Sequence, residues 1–390
     1  MIVRNLHSKV LEYLDVFPAV ALLGARQIGK TTLAFQVTES LSPKPLYFDF
    51  ERPSDLAKFT NPEFFLQQHD DRLLILDEVQ RFPKLFEILR SIIDERRRSG
   101  KKVGQYLLLG SASQDLLHQS SESLAGRIIY SELSGFNLCE VGNEHKNTLW
   151  LHGGFPDSFL AKSQNASFVW RESLIRTYLE REIPMLGPKI AAETLRRFWI
   201  MLAHNQGELL NQARIATSLG VSNPTVARYL DLLSDLFMVR ILRPWATNIN
   251  KRLVKAPKVY IRDSGLLHSL LGIKSMDDLL SNPVVGGSFE GFVIENIASI
   301  VGSKANLFFY RTVAGAEIDL VLEYSPTKII AIEIKRSLAP TVSKGLFEGM
   351  ETLNPMKTYV VYGGNDRYKL SDQIEVISLY NLLKELQELN

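Results

Sequence analysis

Residues 17–31 read Phe17-Pro18-Ala19-Val20-Ala21-Leu22-Leu23-Gly24-Ala25-Arg26-Gln27-Ile28-Gly29-Lys30-Thr31, and this stretch decides the fold. Its second half matches GxxxxGK[ST] in full. An apolar run of buried-strand character precedes the match, and Thr32-Leu-Ala-Phe-Gln-Val follows it as a helix start. Strand, glycine-rich turn and helix in that order form a phosphate-binding loop. The glycines let backbone N–H groups approach phosphates closely, and the helix N-terminus adds favourable partial charge. The nucleotide contacts expected from the motif are Gly24, Ala25, Arg26, Gln27, Ile28, Gly29, Lys30, Thr31 and Thr32. Lys30 supplies a point charge to the outer phosphates and Thr31 a hydroxyl to magnesium.

Working outward, Leu73-Leu-Ile-Leu-Asp77-Glu78 is a buried parallel strand delivering two acids at its C-terminal edge. Asp77 is expected to hold magnesium and Glu78 to orient the attacking water. Tyr106-Leu-Leu-Leu-Gly-Ser111-Ala-Ser113 is another strand, which places Ser111 where a hydroxyl could sense the γ-phosphate. Leu46 to Glu51 reads as a strand and Pro83 to Arg98 as an amphipathic helix, so strands alternate with helices around a parallel sheet. Val16 to Ala25 could pass for a signal peptide, but Glu12 and Asp15 stand just before it and the phosphate loop explains it better.

GARQIGKTTL, LLILDEVQ, LLLGSAS and SESLAGR (121–127) resemble, in order and spacing, a prokaryotic AAA-type ATPase family whose members carry a C-terminal domain of unknown function. GGFP (153–156), YLEREIP (178–184) and IRDSGLL (261–267) extend the resemblance over nearly the whole chain. It implies ATP and Mg2+ as cofactors, homo-oligomeric rings with monomers or dimers as the equal alternative, and Arg127 as a candidate arginine finger on a neighbouring subunit's γ-phosphate. From its residues alone, Arg127 reads equally as a surface ion pair, and Arg26 as a nucleotide contact or a solvated loop charge. Ala25 stands where that family usually has proline.

In the middle of the chain, Asn211 to Gly220 reads as a short capped helix, and Val221-Ser222-Asn223-Pro224 restarts a second one. Two strands follow, Phe237 to Leu242 and Lys258 to Ile261, flanking a basic stretch. This is the grammar of a winged helix. As a DNA reader it would present Asn223, Thr225 and Arg228 to bases, with Lys251, Arg252, Lys255 and Lys258 against phosphates. As a packing module it would present none of them.

In the last third, Asp319 is followed fourteen residues later by Glu333-x-Lys335, a spacing similar to that of the PD-(D/E)XK nuclease superfamily. Strand alternation puts Glu333 and Lys335 on one face. The expected metal ligands are Asp319, Glu333 and Glu290 from the preceding helix, with Glu295 in reserve, and Lys335 would position a water. Glu317 and Ile318 stand where that superfamily often has proline.

The fold class expected is therefore α/β: an AAA-type P-loop NTPase parallel sheet, a helical and winged-helix region, and a C-terminal α/β PD-(D/E)XK nuclease-like domain. The expected segments are 1–150, 151–275 and 276–390. The expected function is a cytoplasmic Mg-dependent ATPase coupled to DNA binding or processing. The alternative is a nucleotide-dependent switch acting through protein assembly, with a nuclease-like domain that no longer cleaves.

Composition bounds these readings. The 390 residues are 45% hydrophobic, ample for several cores, and the single cysteine, Cys139, excludes a disulfide framework or a Cys-rich zinc module. No apolar run approaches the roughly 18 residues of a membrane-spanning helix. The net charge of +2 conceals a basic middle, because residues 191–260 hold ten Lys/Arg against four Asp/Glu.

Overall fold

The strand β1 (Ala19–Leu23) is buried at every position, as its unbroken apolar sequence requires of a strand covered on both faces. In the computed structural model, which describes residues 2–39, 41–111, 124–185, 190–245 and 253–389, it is central to a parallel sheet with β2 (Leu46–Asp49), β3 (Leu74–Asp77), β4 (Tyr106–Gly110) and β5 (Ile128–Glu132). The order is β2-β3-β4-β1-β5. β4 thus lies between the strand that feeds the glycine loop and the strand that carries Asp77. The C-terminal ends of β1, β4 and β3 bring Gly24, Ser111 and the acids to one edge. Open parallel sheets bind ligands at this edge.

Helices close the sheet for reasons visible in their sequences. Leu85–Arg98 buries Leu85, Phe86, Leu89, Ile92 and Ile93 on one stripe. Arg96, Arg97 and Arg98 fill its last turn, where cations suit the helix dipole. Arg96 is buried and donates to the Leu66 carbonyl at 2.6 Å. This first compact unit comprises Met1–Gly135 with Ser234–Phe237.

The second unit comprises Phe136–Leu233 and Met238–Asn390. Its helices Gln212–Leu219 and Asn223–Asp235 form as the capping pattern predicts. The Asn211 side chain accepts from the Arg214 N–H, and Gly220 closes the first helix in the left-handed region (φ 69°). Next come β6 (Val239–Pro244) and β7 (Lys258–Ile261), paired antiparallel. β8 (Asn306–Arg311), β9 (Glu317–Ser325), β10 (Lys328–Lys335), β11 (Lys357–Tyr362), β12 (Tyr368–Lys369) and β13 (Ile374–Ser378) complete an eight-stranded sheet ordered β12-β13-β11-β10-β9-β8-β6-β7.

The pairing of β6 with β8 (Arg243↔Phe308, Pro244↔Phe309) corrects the sequence reading at one point. The two strands read as a wing also extend the C-terminal sheet. Strands from the expected 151–275 and 276–390 segments therefore share one hydrogen-bonded sheet. Among the described residues no helix is long and apolar enough to cross a membrane.

Candidate functional site

In the first unit the glycine loop is shaped by close approach. A Cβ on Gly24 would lie 2.4 Å from the Leu133 carbonyl oxygen, so no other residue fits there. Gln27 (φ 64°) and Gly29 (φ 97°) turn the chain into the helix Lys30–Thr38. Ala25 and Ile28 point into the core, which leaves their backbone as the part able to meet phosphate, and Thr32 is exposed in the first helical turn. Lys30 is 5% exposed, and its ammonium donates to the carbonyls of Gly24 and Ala25, both at 3.0 Å.

The helix turns Thr31 toward β3. Its hydroxyl donates to Asp77 Oδ2 at 2.8 Å, and the Tyr47 hydroxyl donates to the same oxygen at 2.8 Å. The backbone N–H of Glu78 donates to Asp77 Oδ1 at 2.8 Å. Asp77 is thereby fixed beside a hydroxyl, the oxygen donor set that magnesium prefers, so these residues fit the ion. Burial and the neighbouring Asp77 carboxylate raise the Tyr47 hydroxyl far above its ordinary value, which keeps it a donor.

Glu78 stands in the left-handed region (φ 55°), uncommon for a residue with a Cβ and a mark of local strain. Its Oε2 accepts from Ser111 Oγ at 3.1 Å and from Gln80 Nε2, while Gln80 also donates to Ser111 Oγ at 2.8 Å. Burial raises the Glu78 carboxyl, the Lys30 charge opposes that, and Asp77 adds to it. Ser111 thus stands just after β4, next to the acid.

Two expected residues are engaged elsewhere. Arg26 donates to Glu51 Oε1 at 3.1 Å and Oε2 at 2.9 Å, and Arg81 donates to Glu51 Oε1 at 2.8 Å. Burial pushes the Glu51 carboxyl up, but the two guanidiniums outweigh it and hold it below its usual range. The guanidinium of Arg26, expected as a nucleotide contact or a solvated loop charge, clasps Glu51. Arg127 donates to Asp94 through Nε (2.7 Å) and Nη2 (2.8 Å). Its carbonyl receives the Ala19 N–H at the start of β1, whereas the glycine loop leaves the other end of that strand. Five residues of strand span about 16 Å, so Arg127 stands at the end of the sheet opposite the glycine loop. Ser113 and residues 121–123 of the SESLAGR string lie outside the described residues.

In the second unit the C-terminal acids do converge, around an unexpected centre. Lys258, read above as a phosphate-binding wing charge, is 3% exposed. Its ammonium lies 3.0 Å from Glu290 Oε1, 2.7 Å from Glu317 Oε1 and 4.0 Å from Asp319 Oδ1. The Tyr260 hydroxyl donates to Glu290 Oε1 at 2.5 Å. Asp319 Oδ2 accepts the Ile334 N–H at 2.8 Å, and Lys335 donates to Glu333 Oε1 at 2.6 Å, as strand alternation predicts. Glu333 Oε2 is buried without a hydrogen-bond partner. Burial, with Glu290 and Glu333, holds the Asp319 carboxyl well above its usual range. Burial works against the Lys258 charge, but Glu290, Asp319 and Glu317 outweigh it and raise the ammonium.

Glu295, the reserve acid, is taken by Arg240 and Arg262 and stands outside this cluster. Among the described residues no three His, Cys, Asp or Glu groups converge as metal ligands. Of the three expected metal ligands, Glu290 and Asp319 face the Lys258 ammonium and Glu333 pairs with Lys335.

The strings GGFP and IRDSGLL meet in a structural clasp. Asp263 accepts from the Gly154 N–H at 2.7 Å and the Leu266 N–H at 2.8 Å. A Cβ on Gly153 would lie 2.1 Å from Asp263 Oδ1. Arg171, fully buried, donates to the Gly265 carbonyl at 2.6 Å and the Leu151 carbonyl at 3.2 Å. Of the DNA-facing residues, Asn223, Arg228 and Lys255 are exposed and Thr225 is half-buried; Lys251 and Arg252 lie outside the described residues.

Tyr47, Glu51, Gln80, Lys258, Tyr260 and Glu317 were not singled out for these roles in the sequence. Lys258 carried a faint signal, as the one charge in the otherwise apolar strand Lys258-Val-Tyr-Ile.

Comparison with known proteins divides the chain into three matched segments. An AAA domain model matches residues 16–142, a domain of unknown function (DUF8612) residues 143–277, and another (DUF4143) residues 285–382. The uncharacterized protein Rv2008c of Mycobacterium tuberculosis is 41% identical over 380 residues, covering 97% of this chain and 84% of its own. The uncharacterized protein Mb2031c of Mycobacterium bovis matches to the same extent. Among solved structures, the RuvB Holliday junction branch migration motor of Thermotoga maritima aligns with a TM-score of 0.30 at 18% identity, over 61% of this chain and 89% of its own. The ORC1 protein of Aeropyrum pernix in complex with DNA aligns with a TM-score of 0.33 at 13% identity, over 70% and 93%. The chain belongs to one family with the mycobacterial proteins, and its N-terminal unit is an AAA-type P-loop ATPase domain.

Proposed function

We propose that this protein is a cytoplasmic, magnesium-dependent ATPase that couples ATP hydrolysis to DNA binding or processing through its second unit. The observation that carries the ATPase reading is the Thr31–Asp77 hydrogen bond of 2.8 Å beside Lys30 within the loop. Lys30 neutralises charge on the outer phosphates, and Thr31 and Asp77 hold magnesium, which polarises the phosphate oxygens when bound. Glu78 orients the attacking water, and Ser111 with Gln80 fixes the position of that carboxylate. Arg127 serves the nucleotide of a second copy, since it stands at the far edge of its own sheet.

For DNA, the exposed Asn223 and Arg228 at the start of their helix favour base contact, with Lys255 against phosphate. The burial of Lys258 among carboxylates favours the second reading for the C-terminal domain. On that reading it is a nuclease-like scaffold that binds or assembles without cutting.

Glu78→Gln is the test of the hydrolytic assignment. The variant should bind ATP as the wild type does and lose about 10²- to 10⁴-fold in turnover, the usual worth of a positioned base. Undiminished turnover with intact binding would remove Glu78 from the role.

A further inference from the structure

We infer that Lys258 is the resident cation of the C-terminal carboxylate cluster, standing where a nuclease-like site would hold a divalent metal. Four acids face one another here. Glu290 comes from the helix Val285–Val301, Glu317 and Asp319 from β9, and Glu333 from β10. Such a group is stable only if its charge is compensated, because an unpaired buried carboxylate is costly.

The compensation comes from within the chain. Lys258 reaches in from β7 and contacts Glu290 and Glu317 at 3.0 and 2.7 Å, with Asp319 at 4.0 Å. Arg311 covers the outer oxygen of Glu317 at 3.2 Å, and Lys335 covers Glu333 at 2.6 Å. Glu333 Oε2 is a buried acceptor without a hydrogen-bond partner, on a residue only 4% exposed. A buried acceptor beside an ammonium-filled cluster marks a cation site whose occupant does not satisfy every ligand. An ammonium has three donors, whereas a hard divalent ion takes six or more oxygens.

Two consequences follow. The cluster binds divalent metal poorly while Lys258 is in place. β7, paired in the sheet with β6, is also tied to β9 and to the helix through charge, so the lysine works as an ionic rivet. The inference concerns cation occupancy and is separate from DNA cleavage, so failure of a cleavage assay and failure of the binding test below are distinguishable.

The test is calorimetric titration of the full chain with Mn2+ in the absence of nucleotide. Lys258→Met keeps the stem and removes the charge. It should gain one Mn2+ site per chain, or tighten Mn2+ binding about 10- to 100-fold, the range over which neighbouring groups tune metal affinity. Adding Asp319→Asn to Lys258→Met should abolish the gain. A folded Lys258→Met that binds Mn2+ no better than wild type overturns the inference. So does a wild-type site of equal strength that Asp319→Asn removes. Should Lys258→Met fail to fold, acetylation of wild-type lysines read by mass spectrometry decides instead. Lys258 should stay unreactive with or without millimolar Mn2+, and Mn2+-induced labelling of Lys258 would show metal displacing it.

Discussion

Arg127 and Asp94 offer a paired perturbation that separates a structural ion pair from service to a neighbouring active site. The two side chains meet at 2.7 and 2.8 Å and are 22% and 34% exposed. A pair this accessible contributes at most about 1 kcal/mol, and either truncation, Arg127→Ala or Asp94→Ala, removes it. Stability alone therefore predicts similar, small shifts in denaturation midpoint for both. Catalysis predicts a sharp asymmetry. If Arg127 neutralises charge on the γ-phosphate of a second copy, Arg127→Ala should lower kcat about 10³-fold or more, on the scale known for arginine fingers. That corresponds to about 4 kcal/mol of barrier. Asp94→Ala keeps the guanidinium and should leave turnover near the wild-type value. The assay is steady-state ATP hydrolysis at saturating nucleotide for both variants, repeated on a mixture of Arg127→Ala with Lys30→Ala subunits. Mixing should restore part of the activity, because some interfaces then pair an intact loop with an intact arginine. Equal rates in the two single variants, or no restoration on mixing, would refute action across subunits.

Other expectations follow from single contacts. Gly153→Ala places a Cβ 2.1 Å from Asp263 Oδ1 at a φ of 80°; it should cost about 2–4 kcal/mol in urea unfolding of the second unit. Tyr47→Phe removes one donor from Asp77 while Thr31 and the Glu78 N–H remain, so stability should fall by about 1 kcal/mol, and half-maximal turnover should require more Mg2+. Fully buried His268, bonded to the Leu151 carbonyl at 3.0 Å and Ser288 Oγ at 2.8 Å, has its pKa pushed down by burial to about 3 from 6.5. Its neutral form is the folded one, so its contribution is complete above pH 6.5 and falls by about 1.4 kcal/mol per unit as the pH drops toward 3. Subtracting the pH profile of a His268→Gln variant from that of the wild type should expose this slope.

The ATPase site was legible because its chemistry is local. Gly24 to Thr31 lie on one turn, Asp77 and Glu78 end one strand, and the parallel sheet brings those ends together by topology alone. Tyr47 and Gln80 escaped notice because their roles depend on side chains meeting across strands, and an isolated Tyr or Gln carries no pattern. Glu51 was hidden for the same reason, since its two arginines come from the glycine loop and from the turn after β3. In the second unit, Asp319, Glu333 and Lys335 were readable from a hairpin whose register fixes them. Lys258 was misread because it belongs to a basic stretch and precedes Glu317 by 59 residues. Charge surplus along a sequence does not distinguish a solvated wing from an internal counter-ion. Removing Lys258 from the exposed set weakens the charge-based case for DNA contact by one cation, while Arg228 and Lys255 stay exposed.

ATP turnover measured with and without duplex DNA across a salt series addresses the proposed coupling most directly. Hydrolysis should require Mg2+, vanish in Lys30→Ala, and rise on DNA addition at low salt. That stimulation should fade as salt increases and shrink in Arg228→Ala, because phosphate contacts release counterions. Mg-dependent turnover that DNA leaves unchanged at every salt concentration would contradict the coupling and favour assembly with protein partners as the output of the ATPase.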